Sequence, residues 1–292
     1  MDNFVSVIVP VLNASELIDE FLTALINQTR KNEVFEIIVV DNGSTDDTVT
    51  RIEKYPNVYL FQTNKTGPYA ARNLGIKNAK GTILAFTDVN KIPDKNWIEA
   101  GVSLLIEKNA DLAGGEITFD LGKKPSASNL YDSITFNNNR RFVLEERASA
   151  TGNLFVNKSV FDQTGYFPEN IRSGMDIWWS RQAVKKGFKL IYAEKAIVSC
   201  KPRNFNEVLK KAYRVGKTHP FNLVYEGKSR FYILALIFRT FAPPKIKTLK
   251  SSLDKIGSKE KILSVWCVAW ASKICMAFGR LHGFISLQKF AD

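Results

Sequence analysis

The stretch of sequence that decides the fold runs from Glu36 to Asp46 and reads EIIVVDNGSTD. Four apolar residues, Ile37 to Val40, are followed at Asp41 by a polar turn that contains a glycine. A run of β-branched residues is typical of a strand buried on both faces, and the residues after it favour a turn and a helix start. The stretch therefore predicts a strand that ends at a polar loop, with Asp41 at the carboxyl edge of a sheet.

The same succession of strand, loop and helix recurs on both sides of this stretch. The other predicted strands are Phe4–Val9, Val58–Phe61, Thr82–Phe86 and Leu112–Phe119. The predicted helices begin at Ser15, after Ser44, at Gly67 and at Pro93. This alternation predicts an α/β fold with a doubly wound, mainly parallel sheet flanked by helices. Open sheets of this kind bind ligands at the edge where the polar loops lie.

The composition is that of a folded globular chain, with 292 residues of which 45% are hydrophobic and 24% are charged. The three cysteines, Cys200, Cys267 and Cys275, are odd in number and lack the spacing of a zinc ribbon, which disfavours a disulfide framework. No basic segment precedes an apolar run at the start of the sequence. We therefore expect no cleaved signal peptide and predict a cytoplasmic protein.

Positive charge is concentrated at the C-terminal end of the chain. Residues 1–200 contain 23 Lys and Arg against 24 Asp and Glu, and residues 201–292 contain 18 against 5, so the two parts carry −1 and +13. Beyond Pro202 the pattern changes to amphipathic and apolar helices. The sequence therefore predicts an α/β domain over residues 1–216 and a basic, helical C-terminal appendage over residues 217–292.

The apolar segment Ile262–Phe278 has two interpretations. Its uncharged run, from Ile262 to Ser272, is shorter than the roughly 20 residues that a membrane-spanning helix needs. With the surrounding lysines, it fits a helix in the headgroup region of an anionic membrane, which makes the protein peripheral at the inner face of the cell membrane. A buried helix that packs on the rest of the chain or on a second subunit fits equally well. The charge could also bind RNA, but no recognition fold accompanies it, so we expect no nucleic acid partner.

A second polar loop, Asp88-Val89-Asn90, follows the predicted strand Thr82–Phe86. If the strand geometry continues, Asp88 and Asn90 point to the same side, and their oxygens could hold Mg²⁺ or Mn²⁺. A divalent cation there would stabilise the charge on a departing diphosphate. Both Asp41 and Asp88 also have an ordinary interpretation, because Asp, Asn and Gly are common turn residues.

Taken in order, these segments resemble the family 2 glycosyltransferases of GT-A fold, over roughly residues 4–216. The resemblance is carried by residues 7–13, 41–46, 71–76, 88–90, 92–94, 114–115, 151–153, 165–167 and 173–176. It implies an inverting glycosyltransferase that moves a sugar from a nucleotide-sugar donor to a glycan or lipid-linked acceptor, in the synthesis of cell-surface polysaccharide or glycoconjugate.

The resemblance also assigns roles to individual residues. Those implied to bind the donor are Pro10, Val11, Asn13, Asp41, Arg72 and Asp88. Those implied to hold the metal are Asp88, Asn90 and Cys200. Those on the acceptor side are Trp97, Thr151, Gly152 and Asn153. Asp176 stands where the family has the general base, which takes the proton of the acceptor hydroxyl. From the residues alone, Asp176 is more simply interpreted as a helix N-cap.

Four positions depart from the family pattern: Asn90 replaces the usual Asp of the metal motif, Met175 a common Glu, Trp178 a common second acidic residue, and Cys200 a frequent His. A neutral amide and a soft thiol suit Mg²⁺ poorly, so the metal would be bound weakly or be dispensable. Basic groups would then partly neutralise the diphosphate, with Arg72, Lys201 and Arg203 as candidates. Alternatively, the protein binds a sugar nucleotide but is catalytically weak or inactive. A nucleotidyltransferase is disfavoured, because residues 10–15 are not glycine-rich.

Overall fold

The computed structural model describes residues 3–30, 34–136, 138–169 and 171–288. The chain divides into two compact units. The first comprises Met1–Thr118 and Asn137–Cys200, and the second comprises Phe119–Phe136 and Lys201–Asp292.

The first unit is built on a mixed sheet, which has eight strands in the part of the chain described. The strands are β1 (Val5–Val11), β2 (Phe35–Asp41), β3 (Val58–Gln62), β4 (Ile83–Thr87), β5 (Ile92–Pro93), β6 (Leu112–Phe119), β7 (Asn153–Asn157) and β8 (Leu190–Cys200). Their order across the sheet is β3-β2-β1-β4-β7-β6-β8-β5. The order brings the carboxyl ends of β2, β1 and β4 side by side, and these are the strands that precede the predicted site loops.

The α/β fold is confirmed, but the sheet is less parallel than its strand pattern suggests. Strands β3, β2, β1 and β4 are parallel, whereas β7 runs antiparallel to both β4 and β6, and β5 runs antiparallel to β8. An apolar run predicts a buried strand but carries no information about its direction, which depends on where the connection brings the chain back.

Helices cover the sheet of the first unit. They are α1 (Ile18–Ile26), α2 (Thr48–Ile52), α3 (Pro68–Asn78), α4 (Trp97–Glu107), α6 (Asn139–Leu144), α7 (Ser159–Thr164) and α8 (Met175–Lys185). Helix α3 lies very close to β1, because a Cβ on Gly75 would stand 2.5 Å from a methyl carbon of Ile8. Helices α1, α2 and α4 begin three or four residues after their predicted starts, since turns occupy the first polar residues.

The second unit is helical. Its helices are α5 (Ala127–Thr135), α9 (Phe205–Tyr225), α10 (Arg230–Phe241), α11 (Ile246–Lys255) and α12 (Ile262–Gln288). Leu130 and Tyr131 of α5 pack with Val208 of α9 and Val265 of α12 in one buried cluster. The predicted boundary at residue 216 falls inside α9. The units divide before this helix instead, because a capping box at Asn204 starts α9 and the helix continues unbroken to Tyr225.

Helices α9 and α12 approach each other to backbone contact. A Cβ on Gly279 would lie 2.3 Å from the Tyr213 carbonyl oxygen, and one on Gly283 would lie 2.1 Å from that of Lys217. Helix α12 also continues ten residues beyond Phe278, the predicted end of the segment. In the described part of the chain, one helix, Lys259–Leu287, has the length and apolarity to cross a membrane, as core helices of soluble proteins also can.

Candidate active site

The loops after β1 and β2 are joined by side-chain hydrogen bonds. The Oδ1 of Asn13 accepts from the backbone N–H of Thr45 at 2.9 Å, and the N–H of Asn13 donates to the Ser44 hydroxyl at 2.8 Å. Asn13 has a positive φ of 49°, a conformation that Asn tolerates better than most residues. Pro10 is half-buried and Val11 is buried, and they are the last two residues of β1, directly before the first of these loops.

Asp41 stabilises the loop after β2 through hydrogen bonds to its backbone. Its buried carboxylate accepts hydrogen bonds from the backbone N–H groups of Gly43 and Ser44, at 3.1 to 3.2 Å. In this geometry Asp41 shapes the turn that follows it, which is the ordinary role its sequence context allowed. A carboxylate that accepts two local donors still has lone pairs available for a ligand.

Asn42 connects the loop after β2 to the loop that precedes α3. The sequence pattern did not single this residue out. Its Nδ2 donates to the Lys65 carbonyl at 2.5 Å, and its Oδ1 accepts from the Gly67 N–H at 2.7 Å. Gly67, with a φ of 113°, directly precedes α3. The start of α3 is thereby held against the loop that contains Asp41.

Asp88 lies between two cations that are themselves almost fully buried. One carboxylate oxygen accepts from Arg72 Nη2 at 2.5 Å and the other from Lys91 Nζ at 2.5 Å, while Asp88 keeps 31% of its side-chain surface exposed. Burial alone would raise the pKa of Asp88, but the charges of Lys91 and Arg72 outweigh it and hold that pKa well below its usual range. Asp88 is therefore ionised at neutral pH. Lys91 is a site residue that the sequence reasoning missed.

Asp176 is held by three donors. Its Oδ1 accepts from the Tyr69 hydroxyl at 2.9 Å, and its Oδ2 accepts from both the N–H and the hydroxyl of Thr151 at 3.0 Å. Burial and the nearby charge of Asp176 raise the pKa of Tyr69 well above its ordinary value, so its hydroxyl stays protonated. The N-cap of α8 is Gly174, in the left-handed conformation, and Asp176 lies two positions after it, as the second residue of the helix. Asp176 is therefore not the helix cap that its sequence context favoured.

The two carboxylates, Asp88 and Asp176, are connected through α3. Arg72 and Tyr69 lie one turn apart on that helix, and the guanidinium of Arg72 is 5.6 Å from the centroid of the Tyr69 ring. Arg72 binds Asp88 and Tyr69 binds Asp176. The helix thus brings the predicted donor-binding residue and the predicted base into one contact network.

The residues assigned to the acceptor side have different positions from those expected. Trp97 and Asn153 are fully buried, and the Trp97 indole N–H donates to Asn153 Oδ1 at 2.8 Å. They stabilise the interior because β7 pairs with β4 beneath α4, and they offer no surface to an acceptor. Thr151 is also buried and orients Asp176. A Cβ on Gly152 would stand 2.8 Å from Lys91 Cε, so this glycine makes room for the lysine.

Each residue assigned to a metal has a protein partner in the structure. The oxygens of Asp88 are engaged by Arg72 and Lys91, and Asn90 Oδ1 lies 3.3 Å from Lys91 Nζ. Cys200 is buried, and its thiol donates to the Thr118 carbonyl at 3.5 Å. Over the described residues, no group of three or more His, Cys, Asp or Glu side chains converges on a common point.

The other basic candidates, Lys201 and Arg203, belong to the second unit. There Arg203 Nη1 is paired with the fully buried Asp132 at 3.0 Å. Among the described residues of the first unit, the cations that contact Asp88 are Arg72 and Lys91.

The polar loops at the carboxyl ends of β1, β2 and β4, together with the fixed carboxylate of Asp176, agree with the class of protein that comparison with known sequences shows. Residues 6–165 match the model of glycosyl transferase family 2. The chain belongs to this family and is a nucleotide-sugar-dependent glycosyltransferase of GT-A fold, as its motifs predicted.

Similar proteins come from bacteria and archaea. The chain is 35% identical to the glycosyltransferase AglE of Haloferax volcanii over 290 residues, which cover 95% of both proteins. It is 28% identical over 186 residues to the poly(ribitol-phosphate) β-N-acetylglucosaminyltransferase TarS of Staphylococcus aureus, covering 61% of this chain and 32% of TarS.

Solved structures share the fold at low sequence identity. The mannosyltransferase PcManGT of Pyrobaculum calidifontis, in complex with GDP-Man and Mn²⁺, has a TM-score of 0.64 at 18% identity, with 95% of this chain and 86% of that chain covered. Residues 1–349 of TarS, in complex with UDP-GlcNAc, have a TM-score of 0.56 at 19% identity, with 98% and 92% covered.

Proposed function

We propose that this protein is an inverting glycosyltransferase in which Asp176 is the general base and the loops after β1, β2 and β4 bind the nucleotide sugar. The observation that carries the proposal is the triple hydrogen bonding of Asp176 by Tyr69 and Thr151, in the same network as Arg72 and Asp88. Three fixed donors hold a carboxylate in one orientation, which a base needs when it must meet a single hydroxyl.

Counting hydrogen bonds leaves Asp176 one unused lone pair that could contact the hydroxyl of the acceptor substrate. A carboxylate oxygen has two lone pairs; in the described part of the chain Oδ1 accepts from the Tyr69 hydroxyl alone, whereas Oδ2 accepts from two groups of Thr151. The remaining lone pair of Oδ1 accepts the proton of the acceptor hydroxyl as its oxygen attacks the anomeric carbon. The bond from that carbon to the diphosphate breaks on the opposite side, and its electron pair leaves with the nucleoside diphosphate. This single displacement inverts the anomeric configuration.

The donor is proposed to lie across the carboxyl ends of β1, β2 and β4. Asn13 and Asp41 would face the nucleoside, since they stand at the joined loops after β1 and β2. Arg72 and the residues around Asp88 would face the diphosphate, because they place positive charge where negative charge develops during transfer. UDP- and GDP-linked sugars are the donors to test first, since UDP-GlcNAc and GDP-Man are bound by proteins of this fold.

The proposed acceptor is a glycan or lipid-linked molecule in glycoconjugate or surface polysaccharide synthesis, at the cytoplasmic face of the membrane. The relative TarS acts on a poly(ribitol phosphate), which supports this class of acceptor. The second unit supports a peripheral membrane contact, because large apolar side chains are exposed beside its +13 charge. Phe231 is 85% exposed and Phe238 and Leu263 are each 72% exposed.

Replacement of Asp176 by Asn tests the proposed base. Asn keeps the shape of the side chain but cannot take the proton, so sugar transfer or donor hydrolysis should fall by about 10²- to 10⁴-fold. Binding of UDP or GDP, measured by calorimetry, should change little. The matched control is Asp162→Asn, which changes an exposed carboxylate of α7 and should behave as wild type. A D176N protein with wild-type turnover, or a product that retains the donor's anomeric configuration by NMR, would contradict the mechanism.

A further inference from the structure

The ammonium of Lys91 occupies the space between the two side chains that a metal would have to bridge. Its Nζ is 2.5 Å from Asp88 Oδ2 and 3.3 Å from Asn90 Oδ1. Lys91 is 3% exposed, so its side chain is held in this place and does not extend freely into solvent.

The backbone is shaped to accommodate this lysine. Gly152, in the turn directly before β7, packs against the end of the side chain, and a Cβ there would stand 2.8 Å from Cε and 3.2 Å from Nζ. A turn hydrogen bond from the Lys91 N–H to the Asp88 carbonyl, 2.9 Å long, directs the side chain back toward the carboxylate.

The charges around Asp88 already favour an anion over a cation. The carboxylate of Asp88 carries one negative charge and its partners Arg72 and Lys91 carry one positive charge each, so the three side chains have a net charge of +1. A divalent metal would have to enter beside two buried like charges, with the neutral amide of Asn90 as its second oxygen ligand. A diphosphate carries the opposite charge and is attracted by the same cluster.

Lys91 also has a donor left for such an anion. An ammonium group has three N–H donors, and among the described residues two acceptors contact it, Asp88 and Asn90. The third can donate to a phosphate oxygen beside Asp88, whose side chain is 31% exposed.

We propose that the ammonium of Lys91 takes the place of a divalent metal in this enzyme, so that it binds the donor diphosphate without Mg²⁺ or Mn²⁺. The proposal rests on the proposed function, since it concerns the same donor site. In this proposal Lys91 makes a charge-assisted hydrogen bond to the diphosphate, and Asp88 and Gly152 position the lysine side chain.

The test measures nucleotide binding with and without metal. UDP and GDP are titrated separately by calorimetry into the full-length protein, in EDTA and in Mn²⁺. For the nucleotide that binds, the wild-type Kd should agree within about threefold between the two conditions. Lys91→Met keeps the length of the side chain but removes its charge, and should weaken binding in EDTA by about tenfold or more. Mn²⁺ should restore part of that loss, because the oxygens of Asp88 and Asn90 become accessible.

Two further variants separate the charge of Lys91 from its effect on folding. Gly152→Ala retains the lysine but displaces its flexible end, and should also weaken binding in EDTA while the thermal unfolding curve stays close to wild type. Lys95→Met removes one positive charge from an exposed position and should leave both affinities unchanged.

Electron paramagnetic resonance of Mn²⁺ gives an independent readout of the metal. The signal measures free Mn²⁺, so it falls when the metal is bound. A sample of wild-type protein with bound nucleotide should give a signal no smaller than that of the nucleotide alone. A sample of K91M with nucleotide should give a smaller signal. Wild-type binding that collapses in EDTA, or K91M that binds as wild type in EDTA, would overturn the role of Lys91 alone. Binding of neither nucleotide under either condition would overturn the donor site, and the role of Lys91 with it.

Discussion

The hydroxyl of Tyr69 donates a hydrogen bond of 2.9 Å to Asp176 Oδ1, across 107 positions of the chain. The same hydroxyl accepts from the backbone N–H of Met175 at 3.1 Å, so Tyr69 fixes both the carboxylate and the first turn of the helix that carries it. A residue from α3 thereby determines how a carboxylate at the start of α8 is oriented.

Replacing Tyr69 by Phe should reduce kcat more than it changes donor binding. The ring remains in the core, but Asp176 loses the donor on the oxygen proposed to receive the proton. A lost hydrogen bond to a charged group corresponds to about 1.5–3 kcal/mol, or roughly a ten- to hundredfold lower kcat. Steady-state kinetics and nucleotide calorimetry check this. Tyr166→Phe, at a half-exposed tyrosine, is the control, and equal losses of kcat in both variants would argue against a specific role for Tyr69.

Replacing Asn13 by Gly should weaken donor binding with a smaller effect on kcat. Glycine adopts the φ of 49° readily, so this change removes the bond to Thr45 but leaves the backbone unstrained. The Kd for UDP or GDP should rise by about three- to tenfold, which corresponds to the net value of one hydrogen bond. Asn78→Gly, at an exposed position of α3, is expected to leave the Kd unchanged. An unchanged Kd in N13G would mean that the bond between these loops does not support the nucleotide.

His219 should make the second unit less stable in mild acid. Burial first, and the charge of Arg280 second, lower the pKa of His219 from 6.5 to about 4. The unfolded chain therefore binds a proton between pH 6.5 and 4 that the folded chain does not, so the free energy of unfolding falls as the pH drops through this window. The loss is at most about 3 kcal/mol. In His219→Gln, urea unfolding followed by circular dichroism should show a smaller fall from pH 7 to 4, and an unchanged pH dependence would refute this assignment.

The exposed phenylalanines of α10 should contribute to membrane binding. Replacing Phe231 and Phe238 by Ser removes two large apolar side chains without changing the charge, and should reduce co-sedimentation with vesicles of phosphatidylglycerol by about tenfold or more. Wild-type protein should bind neutral phosphatidylcholine vesicles less well, since the +13 charge then has no anionic partner. Equal sedimentation of the wild type and the double variant would show that α10 does not contribute to membrane binding. Leu144→Ser, in the first unit, is the control for loss of an exposed apolar residue.

The sequence by itself determined the local features of this protein. The strands from β1 to β4, the polar loops after them and the start of α3 could be read from apolar runs and from turn and cap residues, because these depend on neighbours a few positions away. The order of the family motifs predicted the class of enzyme, which the comparisons confirm, and it also predicted roles for Asp41, Arg72, Asp88 and Asp176.

Only the tertiary structure decided what these residues contact. Tyr69 meets Asp176, and Gly152 leaves room for Lys91, because β4 and β7 are adjacent in the sheet and α3 lies close to β1. Trp97 was predicted to face an acceptor, yet it packs against Phe155 in the interior. Periodicity determines which side of an element is buried, whereas the partner of a side chain depends on how distant segments pack, and no local pattern contains that information.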